Sequence, residues 1–134
     1  MAQAIHKKDE YSEAATDAEL LRTLVKYAVL APSGHNTQPW LFRIAAERLD
    51  LLADRTRCLP VVDPRDRALT ISCGAALEHL AIAARRFGRE PEVVDFPGGD
   101  PDLLATVRLA GEISPNDQEM LLFEIGRASC RERV

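Results

Sequence analysis

The spacing of apolar residues changes several times along the chain, and each change marks an element. Between residues 16 and 31, Leu20, Leu21, Leu24, Val25 and Ala28 recur three and four places apart, with Arg22 and Lys26 on the other side. That is the stripe of an amphipathic helix. Thr16 precedes it and Glu19 follows three places later, a capping box in which hydroxyl and carboxylate each satisfy a free amide at the helix start. The helix is expected over about 17–31, stopped by Pro32, whose ring disfavours helical geometry at Ala31. From Trp40 the spacing drops to two. Trp40, Phe42 and Ile44 alternate with Leu41 and Arg43, which predicts a strand at 40–44, and a second strand at 49–53 follows the polar turn at Glu47 and Arg48. The two can pair as a hairpin.

Residues 54–66 carry prolines and charges without sustained periodicity and read as an irregular connection. Helical spacing then returns with Leu69, Cys73, Ala76, Leu77, Leu80 and Ala84. Asp63, Pro64 and Asp66 supply an acceptor side chain, a residue locked near helical geometry and negative charge at the positive dipole end, so the helix is expected over 64–87 with Gly88 as its stop. At roughly 20 residues it spans ~30 Å. Strands at 92–96 and 103–109 follow, joined by the turn Pro-Gly-Gly-Asp-Pro-Asp. Locally paired strands that do not alternate singly with helices favour an α+β fold over a parallel doubly wound sheet.

A length of 134 residues limits the chain to one domain or part of one. With 46% hydrophobic and 28% charged residues it is composed to fold. No apolar run reaches the ~20 residues that cross a bilayer, so no membrane partner is expected. Residues 1–12 lack the apolar middle of a secretory signal, which points to the cytoplasm. Seventeen basic and twenty-one acidic residues give a net charge of −4 without a basic block, and no nucleic-acid partner is expected. Cys58, Cys73 and Cys130 form neither a CxxC pair nor a disulfide framework, and no metal is expected. Cys73, within the helical stripe, reads as a core residue. Neither of the common glycine-loop phosphate motifs is present.

The segment most dense in chemistry is Ala31-Pro-Ser-Gly-His-Asn-Thr-Gln-Pro-Trp40. It joins a helix end to a buried strand, and Ser33, Asn36 and Gln38 can each donate and accept hydrogen bonds, the mixture that the edge of a heteroaromatic ligand needs. The residues leave a second reading open, a turn in which Ser33 and Asn36 satisfy local backbone groups while Trp40 anchors the core.

Ala-Pro-Ser-x-x-Asn-x-Gln-Pro-Trp before an apolar strand resembles the signature loop of the nitroreductase family of FMN-dependent oxidoreductases. Asp63-Pro64 with Thr-Ile-Ser-Cys-Gly-Ala-Ala-Leu at 70–77 resembles the long helix of its Acg-like branch. The resemblance implies an incomplete nitroreductase-like α+β fold. It implies FMN as cofactor, NAD(P)H as electron donor and a small-molecule acceptor such as a nitroaromatic or quinone, used in ping-pong order. The cofactor performs the redox step, so no catalytic side chain is assigned. Two units pack together in this family, as a homodimer or as two halves of one chain, with flavin in the groove between them. By the same resemblance Ser33 and Asn36 bond the isoalloxazine, Pro32 and Gly34 bring backbone close to it, Gln38 is structural or flavin-facing, and Trp40 is a core anchor. The alternative is a degenerate relative that sequesters flavin without turnover; an interaction module is a third reading.

The residues at 6–12 do not reproduce the family's Arg-x-Ser-type phosphate-binding element, and Gly34 stands where many members carry a second serine. Arg55, Arg57, Arg65 and Arg67 read as a solvated loop bridged to Asp54, Asp63 and Asp66. Glu78 and His79 are adjacent on a helix and read as unrelated exposed groups. The expected organisation is a flexible N-terminus at 1–16, the N-terminal half of a nitroreductase-like domain at 17–123 and a non-native tail at 124–134. That tail, Glu-Ile-Gly-Arg-Ala-Ser-Cys-Arg-Glu-Arg-Val, resembles a terminal peptide produced by translation of sequencing-adapter DNA.

Overall fold

The computed structural model describes residues 16–131, with side chains through residue 126. Apart from Thr16, the N-terminus expected to be flexible lies outside the described residues. Helix α1, Asp17–Ala28, starts with the full capping box: the Glu19 amide donates to Thr16 Oγ1 at 3.2 Å and the Thr16 amide to Glu19 Oε2 at 3.1 Å. It ends at Ala28, three residues before the expected limit. The amides of Leu30 and Ala31 instead bond the carbonyls three places back, at 3.1 Å each, a tightened last turn that leads the chain into Pro32. Leu20, Leu21, Leu24, Tyr27 and Ala28 are buried; Val25 is only half-buried because Tyr27 takes its share of the core-facing side.

Strands β1 (Trp40–Ala45), β2 (Arg48–Ala53), β3 (Arg89–Asp95) and β4 (Leu103–Glu112) form one sheet in the order β1-β2-β4-β3, with every neighbouring pair antiparallel. The expected hairpin pairs Trp40 with Ala53 and Ala45 with Arg48. Helix α2, Arg67–Arg86, lies against the sheet with α1. Leu20, Leu24, Leu49, Leu80 and Val107 form one fully buried cluster, and Trp40, Leu51, Ala53, Leu69, Cys73 and Ala105 belong to a second near the start of α2. The α+β class is as the sequence implies.

Other boundaries also differ from expectation. Helix α2 begins at Arg67, not Pro64, because the Asp63–Asp66 segment closes a turn of its own, with the Asp66 amide on the Asp63 carbonyl at 3.1 Å and Asp66 at φ 54. Asp63 still caps the helix, from further back: its carboxylate accepts from the amides of Ala68 at 3.1 Å and Leu69 at 3.0 Å. Burial alone would raise its pKa, and the amides of Ala68, Leu69 and Arg67 outweigh that and hold it below the usual range. Strand β3 starts at Arg89, earlier than expected, and stops at Asp95, since Phe96 turns to φ 47. Strand β4 runs on to Glu112, which pairs with Arg89. Gly88, at φ 82, ends α2, and a Cβ there would meet the Ile113 carbonyl at 3.1 Å.

Helix α3, Asp117–Arg131, has no counterpart among the expected elements. It opens on a second capping box, the Glu119 amide on Asn116 Oδ1 at 2.8 Å and the Asn116 amide on Glu119 Oε2 at 3.0 Å. Phe123 is buried and meets Tyr27 and Phe87 with ring centroids 5.0 and 6.4 Å apart. Residues 124–131, expected to be foreign, continue the helix begun at Asp117.

Strand alternation places Asp50 on the opposite face of β2 from Leu49 and Leu51, yet it is 1% exposed. Arg43 donates to it at 2.9 Å and Thr106 at 3.1 Å, and Arg48 lies 3.2 Å away, so arginine stems cover a carboxylate that the sheet alone would leave wet. Burial raises its pKa, but the hydrogen bonds from Arg43 and Thr106 and the charges of Arg48 and Arg43 win, and the net shift is downward. A carboxyl with a depressed folded pKa stabilises the fold above its unfolded value, and that contribution disappears as pH falls through the folded value. Asp50→Asn should therefore cost about 1–2 kcal/mol at neutral pH, with the gap from wild type closing in the acid range below about pH 4. Urea unfolding at pH 7 and pH 3 reads both; a gap that widens in acid contradicts this account.

Candidate functional site

The loop from Pro32 to Pro39 leaves the C-terminal end of α1 and enters β1 beside the start of α2. Its middle, Gly34–Asn36, is a single turn of 3-10 helix. His35, Asn36 and Gln38 all have left-handed backbone, at φ 51, 55 and 50, although none is glycine. Such conformations cost on the order of 1 kcal/mol each, least for asparagine. Hydrogen bonds hold the loop against that cost. The Gln38 amide donates to Ser33 Oγ at 3.0 Å, the Asn36 amide to the Ser33 carbonyl at 3.0 Å, and both the Thr37 amide and hydroxyl to the Gly34 carbonyl at 3.1 and 3.0 Å.

Three side chains from outside also grip it. Ser72 Oγ, on the buried side of α2, accepts from the Gly34 amide at 3.0 Å and donates to the Ala68 carbonyl at 2.8 Å. Arg57 donates to the Thr37 carbonyl at 3.1 Å. Cys73 donates to the Pro39 carbonyl at 3.3 Å. Burial pushes the Cys73 thiol up to about 11, so it is protonated at neutral pH, as a core residue and not a nucleophile.

The structure thus gathers Pro32, Ser33, Gly34, Asn36 and Gln38 on one loop, with Pro32, Asn36 and Gln38 exposed and Ser33 and Gly34 half-buried. The turn reading and the ligand reading turn out to be compatible. Ser33 accepts locally through Oγ, while its own proton has no partner among the described residues. Asn36 accepts from Gln38 Nε2 at 3.4 Å through Oδ1, and its Nδ2 protons likewise have none. The loop therefore presents two unused donors from a fixed backbone. Gly34 is not at a positive φ, and an added Cβ would make ordinary contacts, 3.7 Å from Ala68 Cβ and 3.9 Å from Ser72 Oγ, so a serine there would fit.

Ser72, Arg57 and Asp63 were not among the expected site residues. A cleft beside the loop brings them together with Gly34, His35 and Cys58. The sequence signal for Ser72 is its place on a stripe otherwise made of Leu69, Cys73 and Ala76. Arg55 pairs with Asp66 at 2.8 Å and Asp102 at 2.9 Å, and Arg57 with Asp54 at 3.4 Å, as a bridged loop requires. Asp63 is outside that network, because the α2 amides occupy it. Arg65 and Arg67 are exposed. His79 is half-buried, not exposed: its Nδ1 lies 3.1 Å from the Ala75 carbonyl on its own helix, and it lines an apolar hollow with Tyr27, Ile82, Leu122 and Phe123 away from the loop. Among the described residues no group of three or more His, Cys, Asp or Glu could hold a metal ion, and no helix is long and apolar enough to cross a membrane.

No family model matches the chain. The chain is 43% identical over 81 residues to "Putative NAD(P)H nitroreductase Rv3131" of Mycobacterium tuberculosis, a match covering 60% of this chain and 24% of that protein. It is 33% identical over 100 residues to "Putative NAD(P)H nitroreductase acg" of the same organism, covering 74% and 29%. Among solved structures it superposes on a putative nitroreductase in complex with FMN from Desulfovibrio desulfuricans with a TM-score of 0.58 and 18% identity, over 88% of this chain and 87% of that one. The fold is that of the nitroreductases. The resemblance carried by the loop and the long helix thus extends to the nitroreductase arrangement of sheet and helices, and the chain spans about a quarter of the length of the curated relatives it matches.

Proposed function

We propose that residues 17–123 are the N-terminal half of a nitroreductase-like domain in an FMN-dependent oxidoreductase. It takes electrons from NAD(P)H and delivers them to small acceptors of the nitroaromatic or quinone kind, in the cytoplasm. One observation carries the reading: the Pro32–Pro39 loop spends strained backbone to present the Ser33 hydroxyl and the Asn36 amide as donors with no partner in the described residues. Both suit the carbonyl and nitrogen acceptors on the edge of an isoalloxazine. FMN, when bound, supplies the hydride and electron chemistry. The chain's own residues bind and orient: Ser33 and Asn36 at the ring edge, Pro32 and Gly34 as backbone beside it, Gln38 bracing Asn36, and Trp40 fixing the loop's exit in the core. Arg55 and Arg57 are committed to Asp54, Asp66, Asp102 and the Thr37 carbonyl, and the exposed Arg65 and Arg67 do not line the cleft beside the loop. The phosphate is therefore held by a second unit, from a homodimer or from a further part of the same polypeptide.

The test is the visible spectrum of the full-length protein, followed by reduced nicotinamide without air. Bound flavin that bleaches supports the proposal. Bound flavin that stays oxidised favours the sequestering alternative, and a protein that takes up no flavin overturns both.

A further inference from the structure

Ser72 is a hydroxyl where an alanine would serve the helix equally well. It is 5% exposed, on a stripe whose other members are Leu69, Cys73 and Ala76. A buried hydroxyl is costly unless its hydrogen-bonding capacity is used. Here one bond goes to the Ala68 carbonyl of its own helix, which needs no such partner, and the other receives the Gly34 amide from 38 residues away. That second bond falls immediately before the left-handed run at His35 and Asn36 and one residue after Ser33. The other two side-chain grips are less suited to set this geometry. Arg57 has a side chain 57% exposed and shared with Asp54, and Cys73 holds Pro39, beyond the ligand-facing residues.

We propose that Ser72 is a positioning residue: its hydroxyl fixes the Gly34 amide and thereby the separation and direction of the Ser33 and Asn36 donors before any ligand arrives. Without the bond, the Gly34 amide loses its partner and the strained residues behind it relax towards ordinary backbone. Ligand binding then has to order the loop as well, and affinity falls by that amount. The proposal rests on the flavin reading of the loop, and it assigns Ser72 no contact with the flavin.

Ser72→Ala, Ser72→Val and Ser72→Thr are made in the full-length protein. Valine and threonine share a shape, so their difference reports the hydroxyl alone, even if the alanine variant folds poorly. Two quantities are measured: the Kd for FMN by fluorescence quenching, and the exchange rate of the Gly34 amide in the ligand-free protein by 15N-edited NMR. Expected are at least a tenfold weaker Kd and at least tenfold faster Gly34 exchange for alanine and valine, with both within threefold of wild type for threonine. Valine binding FMN as tightly as threonine overturns the positioning role, and so does lost affinity with an unchanged Gly34 amide. If wild type takes up no FMN, the flavin reading falls and the positioning role with it; if wild type and all variants bind equally, the positioning role alone falls.

Discussion

Trp40→Ala is expected to lower the stability of the fold by about 3–5 kcal/mol, the range for emptying a buried tryptophan site. The indole is 7% exposed at the start of β1, opposite Ala53, in the cluster with Leu51, Leu69 and Cys73. These neighbours cannot close over the gap. Leu51 and Ala53 are held in the ladder between β1 and β4, and Leu69 and Cys73 are fixed on α2, whose start is pinned by Asp63. Asn36→Ala should behave in the opposite way. Its side chain is exposed and makes one long bond to Gln38, so the cost is about 1 kcal/mol, mostly because alanine tolerates φ 55 less readily than asparagine. FMN retention in the full-length protein should instead fall at least tenfold, since the Nδ2 donor is gone. Urea unfolding and FMN titration of both variants check the pair. If Asn36→Ala destabilised as much as Trp40→Ala and left FMN affinity intact, the loop would be a local turn and nothing more.

How far the sequence could be read depended on whether a feature's cause lay nearby in the chain. The α1 cap, the β1–β2 hairpin and the body of α2 follow from spacing within each segment, and they appear where the spacing puts them. The start of α2 falls later than the expected Pro64, although Asp63 followed by Pro64 has the local form of a cap and first helical residue. Only the separate turn at Asp63–Asp66 decides that the helix begins at Arg67 while Asp63 reaches forward to its amides. Helix α3 did leave a local signal, the Asn116 and Glu119 capping box, but its apolar face is thin. Phe123 is buried, whereas Leu121, Leu122 and Ile125 are 59, 43 and 54% exposed. The site divides in the same way. The loop motif is contiguous and legible, but the Ser72 bond joins residues 38 apart, and Asp50 is buried by arginines that alternation alone places on an outer face.

The 134-residue chain alone is expected to bind FMN too weakly to detect at micromolar concentration and to self-associate. Two neutral hydrogen bonds from Ser33 and Asn36 contribute roughly 1 kcal/mol each, and association must first offset several kcal/mol of lost freedom. A phosphate could supply the difference only through a cation placed to meet it: Arg55 and Arg57 are already paired, and the exposed Arg65 and Arg67 do not line the cleft beside the loop. Meanwhile Val61, Val62 and Ile71, near the start of α2, are 90, 62 and 71% exposed, with Leu121 and Ile125 on α3 adding to the apolar surface. Apolar patches beyond a few hundred Å² tend to find partners. In the proposed parent, a second unit would cover such surface and complete the groove in the same step. Self-association of this chain could rebuild part of that groove, so mass and affinity have to be measured together. Light scattering and FMN fluorescence quenching, over a range of chain concentrations, should show assembly without binding, or binding that appears only as the assembly forms. A monomer that binds FMN at micromolar concentration and oxidises reduced nicotinamide would show that one unit is enough.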